Sequence, residues 1–261
     1  ARFNVWRTWT EYGNRMIGVV IGFLILATLL LSLRFRREDP ALVWWCAAAL
    51  GLVGFNGWLG SVVVSTNLEP WIVTAHMLAA LAVVAALLLA LEREARHDLA
   101  ALDVVATRAT AWLFAAALAL SLLQLVMGTQ VREEIDHVVN AGEVTDRADW
   151  AAQLGSLVLV HRSFSLAVLV VNLWLARRLT REAAGAPLLR RVAWWIVAVT
   201  AVEIAAGAGL YYLGFPPALQ PVHLLLASVL LGLEFLAVTV WRHASRAPLT
   251  RPIGAARLAA P

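Results

Sequence analysis

Two histidines lie inside stretches of sequence that are otherwise apolar enough for lipid. His161 lies in the run 157–171, and His223 lies near the start of the run 221–227. An ionisable side chain in such a run is a candidate functional residue, because burying it in a bilayer costs free energy. Two neutral imidazoles from different helices suit the two axial positions of a haem iron. The residue types therefore predict a haem site formed by His161 and His223.

The spacing of these histidines recurs in the first half of the chain. His161 and His223 are 62 residues apart, and so are Asn14 and His76. The repeat predicts two copies of one unit. A single intramembrane histidine is more simply explained by a hydrogen bond to a neighbouring helix, but two histidines at a duplicated spacing favour ligation of iron.

The first copy offers one imidazole, because Asn14 stands where the second copy has His161. A carboxamide is a poor iron ligand, so a haem in the first copy would be held through His76 alone. That leaves one coordination position open, as oxygen chemistry requires, whereas two fixed ligands suit electron transfer. The sequence predicts that one half reacts and the other stores electrons.

Three charged residues accompany these positions. Glu11 precedes Asn14 by three residues and shares its helix face; it is either an anchor at the interface or a group that handles protons or a cationic intermediate. Arg15 and Arg162 directly follow the paired positions. Each could bind haem propionates by charge-assisted hydrogen bonds or extend to the lipid interface.

Composition identifies the elements that must hold these residues. The chain has 261 residues, of which 61% are hydrophobic, and a mean hydropathy of +0.77. Seven apolar runs reach the length of about 20 residues that spans a bilayer as a helix. These runs are 13–33, 41–64, 71–91, 104–128, 155–176, 191–213 and 218–241. The predicted fold is an all-α polytopic membrane bundle.

Charge sets the expected orientation. All 21 basic residues are arginines, and 15 of them flank the runs on one side. By the positive-inside rule, the N-terminus of this chain lies outside and the C-terminus is cytoplasmic, which places the four paired positions in the outer half of the membrane. This distribution excludes a nucleic-acid surface. The single cysteine, Cys46, excludes an internal disulfide.

The repeat divides the chain into an N-terminal half-bundle, 1–100, and a C-terminal half-bundle, 101–261. The second half has a helix, 104–128, ahead of its His161 span, whereas the first half begins almost at Asn14. We therefore expect a further helix before Ala1, which gives two tandem pseudo-symmetric four-helix halves. The polar segment 130–154 is either a functional outer loop or a solvated lid without chemistry. Glu203 lies within a span and needs a partner or a proton.

Several short motifs together resemble those of the haem A synthases. Residues 11–15 (EYGNR) resemble that family's Glu-x-x-His-Arg signature, and residues 57–65 with 70–76 resemble its Gly-x-Leu-Gly turn and second histidine. His161-Arg162 and residues 221–224 (PVHL) resemble the third and fourth histidines. The resemblance covers nearly the whole chain, and Asn14 departs from it by replacing a histidine.

The resemblance implies an eight-helix, internally duplicated oxidoreductase of the inner (cytoplasmic) membrane. Such an enzyme oxidises the C8 methyl group of haem O to a formyl group, giving haem A for terminal oxidases. By this resemblance His161 and His223 would bind haem b, His76 would face the iron of the substrate haem O, and Glu11 would be the important carboxylate.

The implied partners are the lipid bilayer, an electron donor that the sequence does not identify, and haem O synthase or oxidase assembly factors. The alternatives are a b-type electron-transfer cytochrome and a haem-handling assembly protein.

Overall fold

The computed structural model describes residues 5–66, 68–100, 102, 104–142 and 146–245. Among these residues, seven α-helices are long and apolar enough to cross a membrane. They are α1 (Val5–Ser32), α2 (Pro40–Ser65), α3 (Pro70–Glu94), α5 (Arg108–Ala141), α7 (Ser156–Glu182), α8 (Pro187–Tyr212) and α9 (Leu219–Ala244). The short helices α4 (Arg96–Ala100) and α6 (Trp150–Gln153) lie between them. The predicted all-α membrane bundle with seven spans is confirmed.

Local sequence signals mark where several of these helices begin. Pro40, Pro70 and Pro187 lie in the first turns of α2, α3 and α8. Proline suits this position because it lacks the N–H that would be unpaired there and its φ is already helical. The side chain of Thr107 accepts a hydrogen bond from the backbone N–H of Thr110 at 3.2 Å and so caps α5.

Asp39 ties the start of α2 to the end of α3. Its carboxylate accepts a hydrogen bond from the N–H of Leu42 (3.2 Å) and forms ion pairs with Arg93 (2.8 Å) and Arg96 (2.6 Å). Burial by itself would raise the pKa of Asp39, but the hydrogen bonds from Arg93 and Leu42 and the two arginine charges outweigh it. The pKa therefore lies below its usual value.

The turns α2–α3 and α8–α9 share one backbone geometry. Leu68 and Phe215, which are 147 residues apart, both have positive φ, 65° and 54°, which is uncommon for residues with a Cβ. The N–H of Leu68 donates to the carbonyl of Val63, and that of Phe215 donates to the carbonyl of Leu210, both at 2.8 Å. The two acceptors are also 147 residues apart, so the hydrogen bonds that close the two turns occupy matching positions in the repeat.

The helices of the C-terminal half form a ring. Helix α5 packs against both α7 and α9, and α8 also packs against both; α7 and α9 therefore face each other across the ring. Its core contains Phe114, Leu175, Leu179 and Ile196, each at most 1% exposed. This ring is the frame that holds His161 and His223.

The N-terminal half is smaller and more open. Helix α1 packs against α2, and α2 packs against α3, around a core of Ile25, Ala49, Val83 and Ala86. The halves meet where α3 packs against α5 and α9, and the hydroxyls of Thr74 and Thr129 are hydrogen-bonded there at 2.8 Å.

Helix α5 extends beyond its predicted span. The segment expected to be a loop from residue 130 is helical as far as Ala141. Pairs of opposite charge one turn apart accompany this extension: Arg132–Asp136 and Glu133–His137, both at 3.6 Å. Such pairs support a helix that has left the apolar region, and hydropathy cannot reveal them.

Candidate functional site

Each of the three intramembrane histidines lies against a glycine of a neighbouring helix. A Cβ placed on Gly60 of α2 would lie 3.1 Å from Cε1 of His76 on α3. The same distance is 3.2 Å from Gly128 of α5 to His161 of α7, and 3.1 Å from Gly207 of α8 to His223 of α9 (both pairs in the C-terminal half). Glycine thus lets each imidazole approach the facing backbone more closely than a residue with a side chain would allow.

The glycine–histidine contacts follow the repeat. Gly60 and Gly207 are 147 residues apart, as are His76 and His223. The motif match had drawn attention to Gly60, but Gly128 and Gly207 were not predicted. Gly207 could have been predicted by adding the offset of 147 residues between the two copies to the position of Gly60.

His161 and His223 lie near the starts of the two helices that face each other across the ring. We call this end of the bundle the histidine end. The two imidazoles are half-buried. The side chain of Gln124 donates to the carbonyl of His161 at 3.0 Å, and its Nε2 lies 3.5 Å from the imidazole Nε2.

Glu203 of α8 lies beside His223, with its Oε1 3.1 Å from the imidazole Nδ1. This is an ion-pair distance, although the contact lacks the alignment of a hydrogen bond. A hydrogen bond from Nδ1–H to Glu203 would leave Nε2 as the ring nitrogen available to a ligand. The partner of Glu203, which the sequence alone did not reveal, is therefore His223.

The N-terminal half has an amide at the position of that carboxylate. Asn56 precedes Gly60 by one turn, as Glu203 precedes Gly207. Within the described residues, Oδ1 of Asn56 and Nδ1 of His76 are both buried without a hydrogen-bond partner. The imidazole of the first copy is consequently not paired with an acid.

The other predicted residues of the first copy lie on the exposed surface of α1. Glu11 and Arg15 form an ion pair at 2.6 Å with side chains 55% and 59% exposed, and Asn14 between them is exposed as well. The structure thus brings Glu11 and Arg15 together.

Arg162 lies at the rim of the histidine end. Its guanidinium lies over the ring of Tyr211, 5.1 Å from the centroid, and donates to the hydroxyl of Tyr212 at 3.3 Å. Arg162 directly follows His161 in the chain, and from this position the sequence predicted that it could bind haem propionates.

Residues 146–155, ahead of α7, lie against the α8–α9 turn at the histidine end. Arg147 donates to the carbonyl of Phe215 at 3.1 Å and lies over the ring of Trp150. The rings of Trp150 and Phe215 are stacked with centroids 6.4 Å apart. Phe215 is 4% exposed, whereas Leu68 at the matching turn of the first half is 54% exposed. The contacts of Arg147 and Trp150, which we call the cover, thus bury the α8–α9 turn at Phe215.

The imidazoles of His161 and His223 are suitable ligands for a haem. No group of three metal-ligating side chains occurs in the part of the chain that the structure describes, but a porphyrin supplies four nitrogens and needs only two protein ligands. His161 and His223 supply two imidazoles in a ring of helices, and glycine contacts fix the position of each.

Comparison with known proteins gives a consistent result. The profile of the COX15-CtaA family, described as "Cytochrome oxidase assembly protein", matches residues 1–235. A protein named "Heme A synthase" from Caulobacter vibrioides is 39% identical over 62 residues, which are 23% of this chain and 18% of that protein. The match therefore spans less than a fifth of that relative's length. No solved structure matches the chain.

Proposed function

Because the chain belongs to the COX15-CtaA family of cytochrome oxidase assembly proteins, we propose that it is a haem A synthase, a membrane oxidoreductase that converts the C8 methyl group of haem O to a formyl group. The observation that carries this proposal is the set of three imidazoles, each set against a glycine, divided as two in one half-bundle and one in the other.

In this proposal the C-terminal half holds haem b through His161 and His223. Bound haem b would supply one-electron chemistry. Glu203 would orient the imidazole of His223 by accepting from its Nδ1–H, as acceptors behind ligating histidines commonly do. The segment that includes Arg147 and Trp150 would exclude water from this site.

The N-terminal half would hold the substrate haem O. His76 would supply the imidazole for its iron, and Asn14, whose carboxamide is a poor iron ligand, would not compete with oxygen there. Glu11 would handle protons there, with its carboxylate held by Arg15 at 2.6 Å in the absence of substrate. Propionates of the two haems would bind Arg15 and Arg162, whose guanidinium groups are exposed.

The proposed setting is the inner membrane, with the N-terminus of this chain outside and the C-terminus in the cytoplasm. The distribution of arginines supports this orientation. Haem O would come from haem O synthase, electrons from a membrane donor, and the product haem A would pass to oxidase assembly factors.

A second candidate is a b-type electron-transfer cytochrome. It is favoured by Asn14, because this residue replaces a possible second ligand of the first copy. This candidate would retain haem b at His161 and His223 and would leave the haem pool unchanged.

The test is co-expression with a haem O-producing enzyme, followed by extraction and identification of haems. A haem A synthase yields haem A, whereas haem O persisting beside folded, haem b-containing protein would support the cytochrome. His161→Ala should lose resident haem b and His76→Ala should retain it, as read from pyridine haemochrome spectra. Equal retention of haem b in both variants would refute the assignment of the two halves.

A further inference from the structure

Four buried polar side chains meet in the core of the C-terminal half, one from each helix of the ring. They are Ser121 of α5, Asn172 of α7, Thr200 of α8 and Glu234 of α9, all between 0% and 4% exposed. Oε1 of Glu234 accepts from Ser121 at 2.8 Å and from Nδ2 of Asn172 at 3.0 Å. The same amide nitrogen lies 3.2 Å from the hydroxyl of Thr200. We call these four residues the polar layer.

The polar layer lies below the histidines along the same two helices. Asn172 follows His161 by eleven residues, and Glu234 follows His223 by eleven. Eleven residues of α-helix measure about 16 Å, or three turns. The polar layer is therefore separate from the proposed haem ligands and makes no contact with them through its hydrogen bonds.

The first half packs without such a layer. The residues 147 positions before Asn172, Thr200 and Glu234 are Ile25, Val53 and Leu87. Ile25 belongs to the apolar core of that half, and the other two are partly buried and pack against it. Apolar side chains can therefore occupy this level of the bundle. Because buried polar groups are costly in a membrane bundle unless they are satisfied, the polar layer of the second half calls for a functional explanation.

The polar layer is incomplete as it stands. Among the described residues, Oε2 of Glu234 and Oδ1 of Asn172 are buried and have no hydrogen-bond partner. Both atoms are acceptors, and no arginine or histidine in the described part of the chain pairs with Glu234. An unpaired carboxylate at this depth costs several kcal/mol, roughly, so a positive charge must complete it. Two free oxygens are too few for a metal ion bound without water, which takes about six ligands, whereas a proton on the carboxyl needs no further ligand.

Other titratable groups on the packed helices are engaged elsewhere. Glu203 of α8 contacts His223, Glu92 of α3 contacts His243 of α9, and Glu182 of α7 contacts Arg178. Helix α5 contributes Ser121 to this level of the bundle. Glu234 is thus the acid that faces the centre of the ring here.

We propose that Glu234, held by Ser121 and Asn172, is an exchangeable proton site whose occupancy changes with the oxidation state of the iron held above it. The coupling rests on the proposed function, whereas the proton site itself does not. When a one-electron donor reduces the haem, one proton from water binds Oε2 of Glu234. When a one-electron acceptor takes that electron, Oε2 of Glu234 would release its proton to water, so charge in the core would stay constant. The oxidised iron–porphyrin core, its propionates apart, would carry one net positive charge, which the ionised carboxylate would balance.

The first experiment uses the purified apo-protein in detergent and needs no haem. Infrared spectra in H₂O and D₂O should contain the C=O band of a protonated, buried carboxylic acid, and Glu234→Gln should remove it. Ser121→Ala, which deletes one donor and keeps the acid, should shift the band without removing it. Wild-type protein without the band, or with a band that Glu234→Gln leaves intact, would overturn the proton site.

The second experiment uses the haem-loaded protein and measures the midpoint potential as a function of pH. The wild-type potential should fall as pH rises, and Glu234→Gln should lose most of that dependence while keeping its haem spectrum. Redox-triggered infrared difference spectra should show the acid band appear on reduction in the wild type only. A pH dependence unchanged in Glu234→Gln, or a potential that responds to sodium instead of pH, would overturn the coupling.

Failure of the proposed function is distinguishable from failure of this inference. A protein that binds no haem but contains the Glu234 band would refute the haem assignment and leave the proton site standing. A protein that makes haem A but whose haem-free form lacks the band would do the reverse.

Discussion

Gly207→Ala should weaken haem b binding through the position of one imidazole. The added carbon would lie 3.1 Å from Cε1 of His223, whereas ordinary contacts are 3.4–4 Å. The ring must therefore move by about 0.3 Å or more, because the backbone of α8 is held in the ring of helices.

The magnitude follows from overpacking, which costs about 1–3 kcal/mol in a filled site. The preference of a helix for alanine over glycine, about 1 kcal/mol, applies with and without haem and so leaves the affinity unchanged. An overpacking cost felt only when the iron fixes the ring corresponds to about 5- to 150-fold weaker haem binding. The assay is the ratio of haem b to protein after purification, together with the Soret spectrum.

Gly232→Ala on α9 is the matched control, because its Cβ would meet only Val84 at 3.9 Å, an ordinary contact. It should keep the wild-type haem content. In the first half, Gly60→Ala should impair haem A formation without loss of haem b, and Gly57→Ala, whose Cβ would meet nothing within 4 Å, should be neutral. Full haem content and an unchanged spectrum in Gly207→Ala, or equal loss in Gly232→Ala, would refute this reasoning.

Three further predictions test other contacts. Glu203→Gln should retain haem b but raise its midpoint potential in a redox titration, because a neutral amide beside His223 stabilises the oxidised iron less than a carboxylate does; an unchanged potential would contradict the contact. Asp39→Asn should destabilise the protein by roughly 2 kcal/mol at neutral pH. The pKa of Asp39 is lowered on folding. Its contribution to the free energy of unfolding is therefore present above the usual pKa of 3.8 and is lost as pH falls through the folded pKa. Thermal unfolding of Asp39→Asn should thus be less sensitive to acid than that of the wild type. Arg147→Ala should speed amide hydrogen exchange in the turn around Phe215 by about tenfold, since it removes one hydrogen bond; unchanged exchange would argue against the cover.

The helices could be predicted because membrane spans are determined by local composition. Each apolar run of about 20 residues must form a helix in lipid, and the structure has a helix at all seven. The extension of α5 to Ala141 could not be predicted in this way, because charge pairs within a polar helix stabilise it there.

The site was partly accessible from the sequence. The interval of 62 residues identified His161 and His223, and the same interval separates Asn172 from Glu234, so the polar layer also left a periodic signal. Its hydrogen bonds could not be predicted, because Ser121 and Glu234 are 113 positions apart and only the closed ring brings them together. Likewise, the contact between Glu203 and His223 depends on how α8 and α9 are rotated against each other.

At three pairs of matching positions, the first half lacks an ionisable group that the second half has. At the positions of His161 and Glu203, the first half has the amides Asn14 and Asn56, and in place of the polar layer it has hydrocarbon. The imidazole and its glycine are what both copies retain. A site that stores an electron needs two fixed ligands and a way to balance charge in a medium of low dielectric, whereas a site that admits and releases a substrate needs one ligand and an open face. Both copies keep the imidazole and its glycine, and they differ in the second ligand, the carboxylate beside the imidazole and the polar layer. This is the pattern expected if a single ancestral haem-binding unit was duplicated and its copies divided these two tasks.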